Sequence, residues 1–132
     1  MENPIIINYS PGSGIKGVKK SEQALLTVAG ALVVEPVTIL GVITASGKYG
    51  VFDDGESDGT QFPKAISMSK VDAAGAGDYV LHVILIGDIR EENLIIQGGN
   101  PGENITKIIK DQLRDYGIIV ESYPDDSILD NQ

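Results

Sequence analysis

A chain of 132 residues with 42% hydrophobic and 22% charged residues has the composition of one globular domain, long enough for a core and too short for two. Its 19 acidic against 10 basic residues give a formal net charge of −9, which argues against direct nucleic-acid binding, where phosphates need clustered Lys and Arg, and against docking on anionic membranes. The absence of cysteine excludes disulfides and thiolate metal sites.

The chain opens on a segment unlike the rest. Pro4, Pro11, Gly12, Gly14 and Gly17 punctuate residues 1–20, and Lys16, Lys19 and Lys20 make its end basic. Ile5-Ile6-Ile7 has strong strand propensity but no sequence neighbour to pair with, so it reads as a flexible arm, either frayed or awaiting an external edge. The triplet is too short for a secretion signal, and no stretch approaches the roughly 20 apolar residues of a membrane span. The expectation is a soluble protein made in the cytoplasm.

Residues 21–123 are expected to form the domain. Ser21 to Thr27 reads as a short strand or turn. Leu32-Val33-Val34 is apolar, and Glu35-Pro36 forces an extended break. Val37 to Thr44 is an aliphatic, β-branched run that reads as a buried strand. Around it sits the most informative stretch, Gly41 to Gly59: Val42-Ile43-Thr44, a turn at Ala45-Ser46-Gly47, and Lys48 to Phe52 as the returning strand. Asp53-Asp54-Gly55 stops that strand, and Glu56 to Gly59 makes a second turn. Ala65 to Ser69 alternates with Ile66 and Met68 on one face. Asp72 to Asp78 is a loop of small residues.

Tyr79 to Ile86, YVLHVILI, is the strongest strand, apolar on both faces apart from His82 and so expected to be covered on both, by the core and by another subunit. Ile89 to Ile96 reads as a short helical turn ended by Gly98-Gly99. Asn100 as cap, Pro101 at the first helical position and Glu103 three residues after the cap predict a helix over 100–116. Ile105, Ile108, Ile109 and Leu113 form its apolar stripe, and Gly117 ends it. Ile118-Ile119-Val120 follows as a strand, and residues 124–132 form a loose acidic tail. With aromatics at 5% and 16 glycines, the fold class is mainly β with a helix (α+β): a small β-rich sandwich or barrel-like domain with one C-terminal helix and a flexible N-terminal arm.

Chemistry is sparse. Catalysis needs a nucleophile, base or metal placed together, and the single histidine, His82, sits mid-strand without a second histidine or a cysteine. Asp53, Asp54, Glu56 and Asp58 crowd one loop but do not follow calcium-loop spacing, and aspartates serve turns by bonding their own backbone. Gly12-Ser13-Gly14 and Gly75-Ala76-Gly77 lack the lysine and helix of a phosphate loop. No catalytic residue, metal site or cofactor is expected.

The stretch Thr44, Gly47-Lys48-Tyr49, then Asp53 and Ser57-Asp58-Gly59-Thr60-Gln61, resembles the lambda-type head decoration (cement) proteins of tailed phages. The likeness extends to Leu26 through Gly30, to Gly41, Ala65-Ile66 and Val71-Asp72-Ala73. It continues through Gly87-Asp88-Ile89, Asn93-Leu94, Leu113-Arg114 and Gly117-Ile118, covering roughly residues 24–123. It implies a non-enzymatic virion protein on the outer surface of the capsid. Such proteins bind the major capsid protein as homotrimers at threefold sites on the expanded shell. It also implies an arm that grips the shell through Ile5, Ile6, Ile7, Tyr9 and Pro11, with Asp58, His82, Leu94 and Ile95 as candidate partner or subunit contacts. The chain departs from the family at Leu94-Ile95, where members often carry an aromatic, and in its longer helix and acidic tail. The alternative is a soluble β-rich binding module, a phage tail or accessory domain using the acidic loop 53–58 to bind a ligand or partner.

Overall fold

The computed structural model describes residues 15–121. Ile5, Ile6, Ile7, Tyr9 and Pro11, and the acidic segment after Pro124, lie outside the described residues. The chain runs through β1 (Ile15–Val28), β2 (Leu32–Val34), β3 (Ile39–Val42), β4 (Tyr49–Val51), β5 (Ala65–Ser67), β6 (Val71–Ala73), β7 (Gly77–Arg90), a 3₁₀ turn (Glu91–Asn93), α1 (Lys107–Asp115) and β8 (Ile118–Glu121). It is mainly β with one helix, a small barrel-like domain.

Strand order around the main sheet is β1-β4-β3-β5-β7-β8, and β7 also pairs with β1. The first five strands therefore close into a ring. Two long strands supply the frame: β1 and β7 run antiparallel from Ile15↔Ile89 to Val28↔Gly77. Closure on the far side is slight, a single parallel pair, Leu26↔Tyr49. β8 lies parallel to the last residues of β7, from Gly87↔Ile118 to Arg90↔Glu121, and β2 and β6 form a separate ribbon.

Alternation along the central strands sends side chains into two cores. Leu40, Ala65, Leu81 and Val83 point into the barrel with Leu26, Val28 and Val34. Their neighbours Ile39, Ile66 and Ile84 point the other way, against Leu94, Ile109, Leu113 and Ile118. The sheet is thus buried on both faces at its middle, which is why these strands read as continuous aliphatic runs rather than alternating ones. On the outer face of β7 the cover at Ile84 is this chain's own helix layer rather than the expected second subunit, whereas Val80 and His82 on that face stay exposed.

The structure corrects four other expectations. Residues 15–20, assigned to the arm, already belong to β1, and Ser21 to Thr27 is the middle of that strand rather than a short piece or a turn. Lys19 to Gln23 are all exposed, and the pairing shifts register between Val18 and Lys20 and again between Lys20 and Ser21. A twisted, bulged ribbon held by the β7 ladder needs no period-two pattern. The run from Val37 is also interrupted: Val37 has φ 69°, and β3 begins only at Ile39.

The helix is shorter than its sequence signals. Asn100 N–H donates to Glu103 Oε1 at 3.0 Å and Glu103 N–H to the Asn100 carbonyl at 3.0 Å. This reciprocal pair closes a turn instead of opening a helix, because Gly102 (φ 78°) and Asn104 (φ 60°) leave the right-handed region. The true cap is Thr106, whose Oγ1 accepts from Ile109 N–H. Ile109 and Leu113 pack inward, Ile105 is buried ahead of the helix, and Ile108 is 69% exposed.

Gly59 fixes the loop after β4 against β3. Its φ is 114°, and a Cβ there would stand 2.2 Å from the carbonyl oxygen of Val42. Positive-φ strain and overpacking act together, so Gly59→Ala should lower unfolding free energy by about 2–4 kcal/mol, read as a lower midpoint with unchanged slope in urea denaturation.

Candidate functional site

The acidic loop is built by its own carboxylates. Asp58 accepts from Thr60 Oγ1 at 2.6 Å and Thr60 N–H at 3.0 Å, and its carbonyl accepts from Thr44 N–H at 2.8 Å. The Thr60 hydroxyl, then the Thr60 amide, hold the Asp58 carboxyl below the usual carboxylate range. Asp53 Oδ1 accepts from Gly55 N–H at 2.9 Å. These are turn-forming bonds. Among the described residues no three Asp, Glu or His side chains gather as a metal site would require.

A second clamp ties the same end of the barrel. Lys48 Nζ donates to Asp78 Oδ2 at 2.6 Å, and Thr27 Oγ1 donates to Asp78 Oδ1 at 2.7 Å. One carboxylate thus joins the end of β1, the β3–β4 turn and the start of β7. Lys48, followed by Thr27, holds the Asp78 carboxyl below its ordinary value. Beside it, Tyr49 closes the ring on Leu26; burial raises its hydroxyl, with a smaller contribution from Glu22. The Lys48-Tyr49 and Asp58-Gly59 residues that mark the sequence are therefore fold-forming residues.

The open surface lies on the outer face of the β1–β7 ribbon. Leu25 and Val80 are direct cross-strand partners, as are Gln23 and His82. Val80 is 58% exposed and Leu25 39%, and His82 is exposed with them. The His82 backbone is engaged, donating to Ser69 Oγ at 3.1 Å and accepting from Met68 N–H at 2.8 Å. His82 and Val80 thus occupy one surface, whereas Asp58 belongs to a separate loop. The Leu25–Val80 pair escaped sequence reading. Its signal was the inward period of Leu26 and Val28, which places Leu25 outside.

Leu94 and Ile95 part company. Leu94 is fully buried between the 3₁₀ turn and α1, so it serves the core and presents no surface to a partner. Half-buried Ile95 continues the backbone ladder, donating to the Val37 carbonyl at 3.0 Å and accepting from Ile39 N–H at 2.9 Å. Near it a groove of about 670 Å³ runs between the end of β4 and α1, lined by Phe52, Gln61, Ile96, Gln97 and Ile108 among others. Its lining mixes aliphatic and amide side chains with Asp53 and Asp54, and among the described residues no histidine, lysine or arginine stands beside them.

The family model for bacteriophage lambda head decoration protein D matches residues 18–110, more than two thirds of the chain. The chain belongs to this family. No curated protein matches it. As a family member it is a phage structural protein of the capsid-decoration class. The matched span begins inside β1 and ends inside α1, so it takes in all of the closed ring but the first residues of β1 and leaves β8 beyond it.

Two outcomes test these assignments. The Asp78 carboxylate is stabilised in its ionised form, with a folded-state value below the ordinary 3.8. Its contribution is therefore complete above the unfolded value and is lost as the pH falls through the folded one. Thermal unfolding of Asp78→Asn should start below that of the parent at pH 7 and converge with it as pH drops under 3.8. Leu94→Ala should cost about 2–5 kcal/mol in denaturant unfolding, as a core deletion does. A surface contact would give a near-neutral result.

Proposed function

We propose that the protein binds the major capsid protein of its phage and reinforces the expanded shell, seated as homotrimers at threefold sites. The observation that carries this reading is the family match over residues 18–110. The geometry is compatible with a passive role. The domain closes on itself, its marked polar residues tie turns, and the outer face of its β1–β7 ribbon is exposed.

The arm would act by strand or groove addition. Ile5, Ile6 and Ile7 supply apolar contact, Tyr9 and Pro11 shape the approach, and backbone hydrogen bonds to an exposed edge of the shell supply the rest. It would leave the domain at Ile15, where β1 pairs with Ile89. Ordering such a segment opposes binding, so three arms engaging from one trimer would raise avidity through effective concentration. The Leu25, Val80, Gln23 and His82 face would supply the contact between copies. An acidic-loop ligand site has less support, since Asp53 and Asp58 are already committed to their own turns.

The test is binding of the full chain to expanded, undecorated capsids of the source phage, against a full-length variant carrying Ile5→Asp, Ile6→Asp and Ile7→Asp. The expected result is saturable binding by the parent and at least about a tenfold loss in the variant, roughly 1.4 kcal/mol, with unchanged thermal unfolding. Equal binding by both would move the contact onto the folded domain, and binding by neither would sink the decoration reading.

A further inference from the structure

The loop after β4 holds the same dipeptide twice, in two different settings. Asp54-Gly55 and Asp58-Gly59 each place an aspartate before a glycine. Glycine has no Cβ, so no side chain shields its backbone nitrogen from the preceding carboxyl group. That nitrogen can attack the aspartyl Cγ and close a five-membered succinimide ring. The outcome depends on how freely the carboxyl turns and on the room the ring finds.

Asp58-Gly59 is held shut. The Asp58 carboxylate accepts from Thr60 Oγ1 at 2.6 Å and Thr60 N–H at 3.0 Å. Gly59 N–H donates to Gln61 Oε1 at 2.7 Å. Gly59 is also buried, with the Val42 carbonyl only 2.2 Å from where a Cβ would stand. Asp54-Gly55 differs in each respect. Both residues are exposed, and among the described residues the Asp54 carboxylate has no hydrogen-bond or ion-pair partner. Beyond its chain neighbours, a Cβ on Gly55 would meet only Asp53 Oδ1, at an ordinary 3.4 Å. Gly55 N–H donates to that same oxygen at 2.9 Å, within the roughly 2.6–3.2 Å reach of a proton acceptor. The pair sits at the centre of the 53–56 turn, closed by Glu56 N–H on the Asp53 carbonyl at 3.1 Å.

We propose that Asp54-Gly55 is a site of spontaneous isoaspartate formation, and that the fold protects Asp58-Gly59 from the same reaction. Gly55 N attacks Cγ of the protonated Asp54 carboxyl as its own proton passes to Asp53 Oδ1. The N–Cγ bond forms and the Cγ–OH bond breaks. The departing hydroxyl leaves as water by taking the proton back from Asp53. Water then opens the ring at either carbonyl. Opening at the Asp54 main-chain carbonyl leaves the chain running through Cγ, longer by one methylene, with the elemental composition and oxidation state of the parent. The extra atom falls inside the 53–56 turn. Conversion therefore reshapes the exposed loop, while the Asp58–Thr60 bonds still hold the strands it joins.

The test is warm incubation of the full-length protein at mildly acidic pH, with isoaspartate at each position read by electron-transfer fragmentation of its peptides. The folded chain is expected to convert at least about tenfold faster at Asp54 than at Asp58, a barrier difference of about 1.4 kcal/mol. In denaturant the two rates should draw together, since both pairs are then free. Gly55→Ala should suppress conversion at Asp54, because its Cβ shields the nitrogen, with thermal unfolding at or above the parent's. Asp53→Asn, which keeps an acceptor oxygen but not a carboxylate, should slow it. Equal rates at Asp54 and Asp58 in the folded chain, or conversion confined to the denatured chain, would overturn the proposal. An Asp53→Asn rate equal to the parent's would overturn the part given to Asp53.

Discussion

The architecture depends on β7 being buried along both faces at its middle while pairing along both edges. One edge carries β1 along nearly the full length, and the other carries β5 and then β8. Val83 faces the barrel core and Ile84 the helix-side core, so two adjacent residues join the two hydrophobic layers. Each fully buried aliphatic side chain contributes about 1.5–3 kcal/mol of transfer free energy. A strand placed in this way couples the layers into one unit. The helix, the 3₁₀ turn and β8 then have a surface to pack on, and the short strands need supply only a few ladder bonds each.

Peripheral polar groups consolidate that frame. The Asp78 carboxylate gathers Thr27 and Lys48 and so reinforces the β1–β4 closure, otherwise a single register pair at Leu26 and Tyr49, while Asp58 holds Thr60 through its carboxylate and Thr44 through its backbone carbonyl. The buried hydroxyls of Thr38 and Ser67 both donate to the Glu35 carbonyl, at 2.7 and 2.9 Å, which holds the chain through the strained Val37.

Features governed by local pattern were legible in the sequence. Tyr79 to Ile86 read as a two-sided strand because its apolar residues are continuous, and the β3–β4 hairpin was marked by Gly47, whose φ is 77°. Features decided by distant partners were not. Lys19 to Gln23 carry no strand pattern, and they are ordered by a ladder with residues some sixty positions away along the chain. Asn100, Pro101 and Glu103 present a helix-opening pattern that is overridden where Gly102 N–H reaches back to the Leu94 carbonyl at 2.7 Å. Leu94 looked like a surface substitution for an aromatic and is a core residue, since aliphatic character alone does not say which side of a turn is covered. Among the candidate contacts, His82 was placed on a strand by its sequence, but its open surroundings came from the pairing of Leu25 with Val80.

The proposed role is mechanical: this small closed barrel would strengthen the shell it decorates. The direct measurement is the temperature at which DNA-filled, expanded capsids of the source phage release their genome, with and without saturating full-length protein. The account predicts release at a higher temperature, rising with occupancy until the sites are filled. Full occupancy with an unchanged release temperature would contradict it.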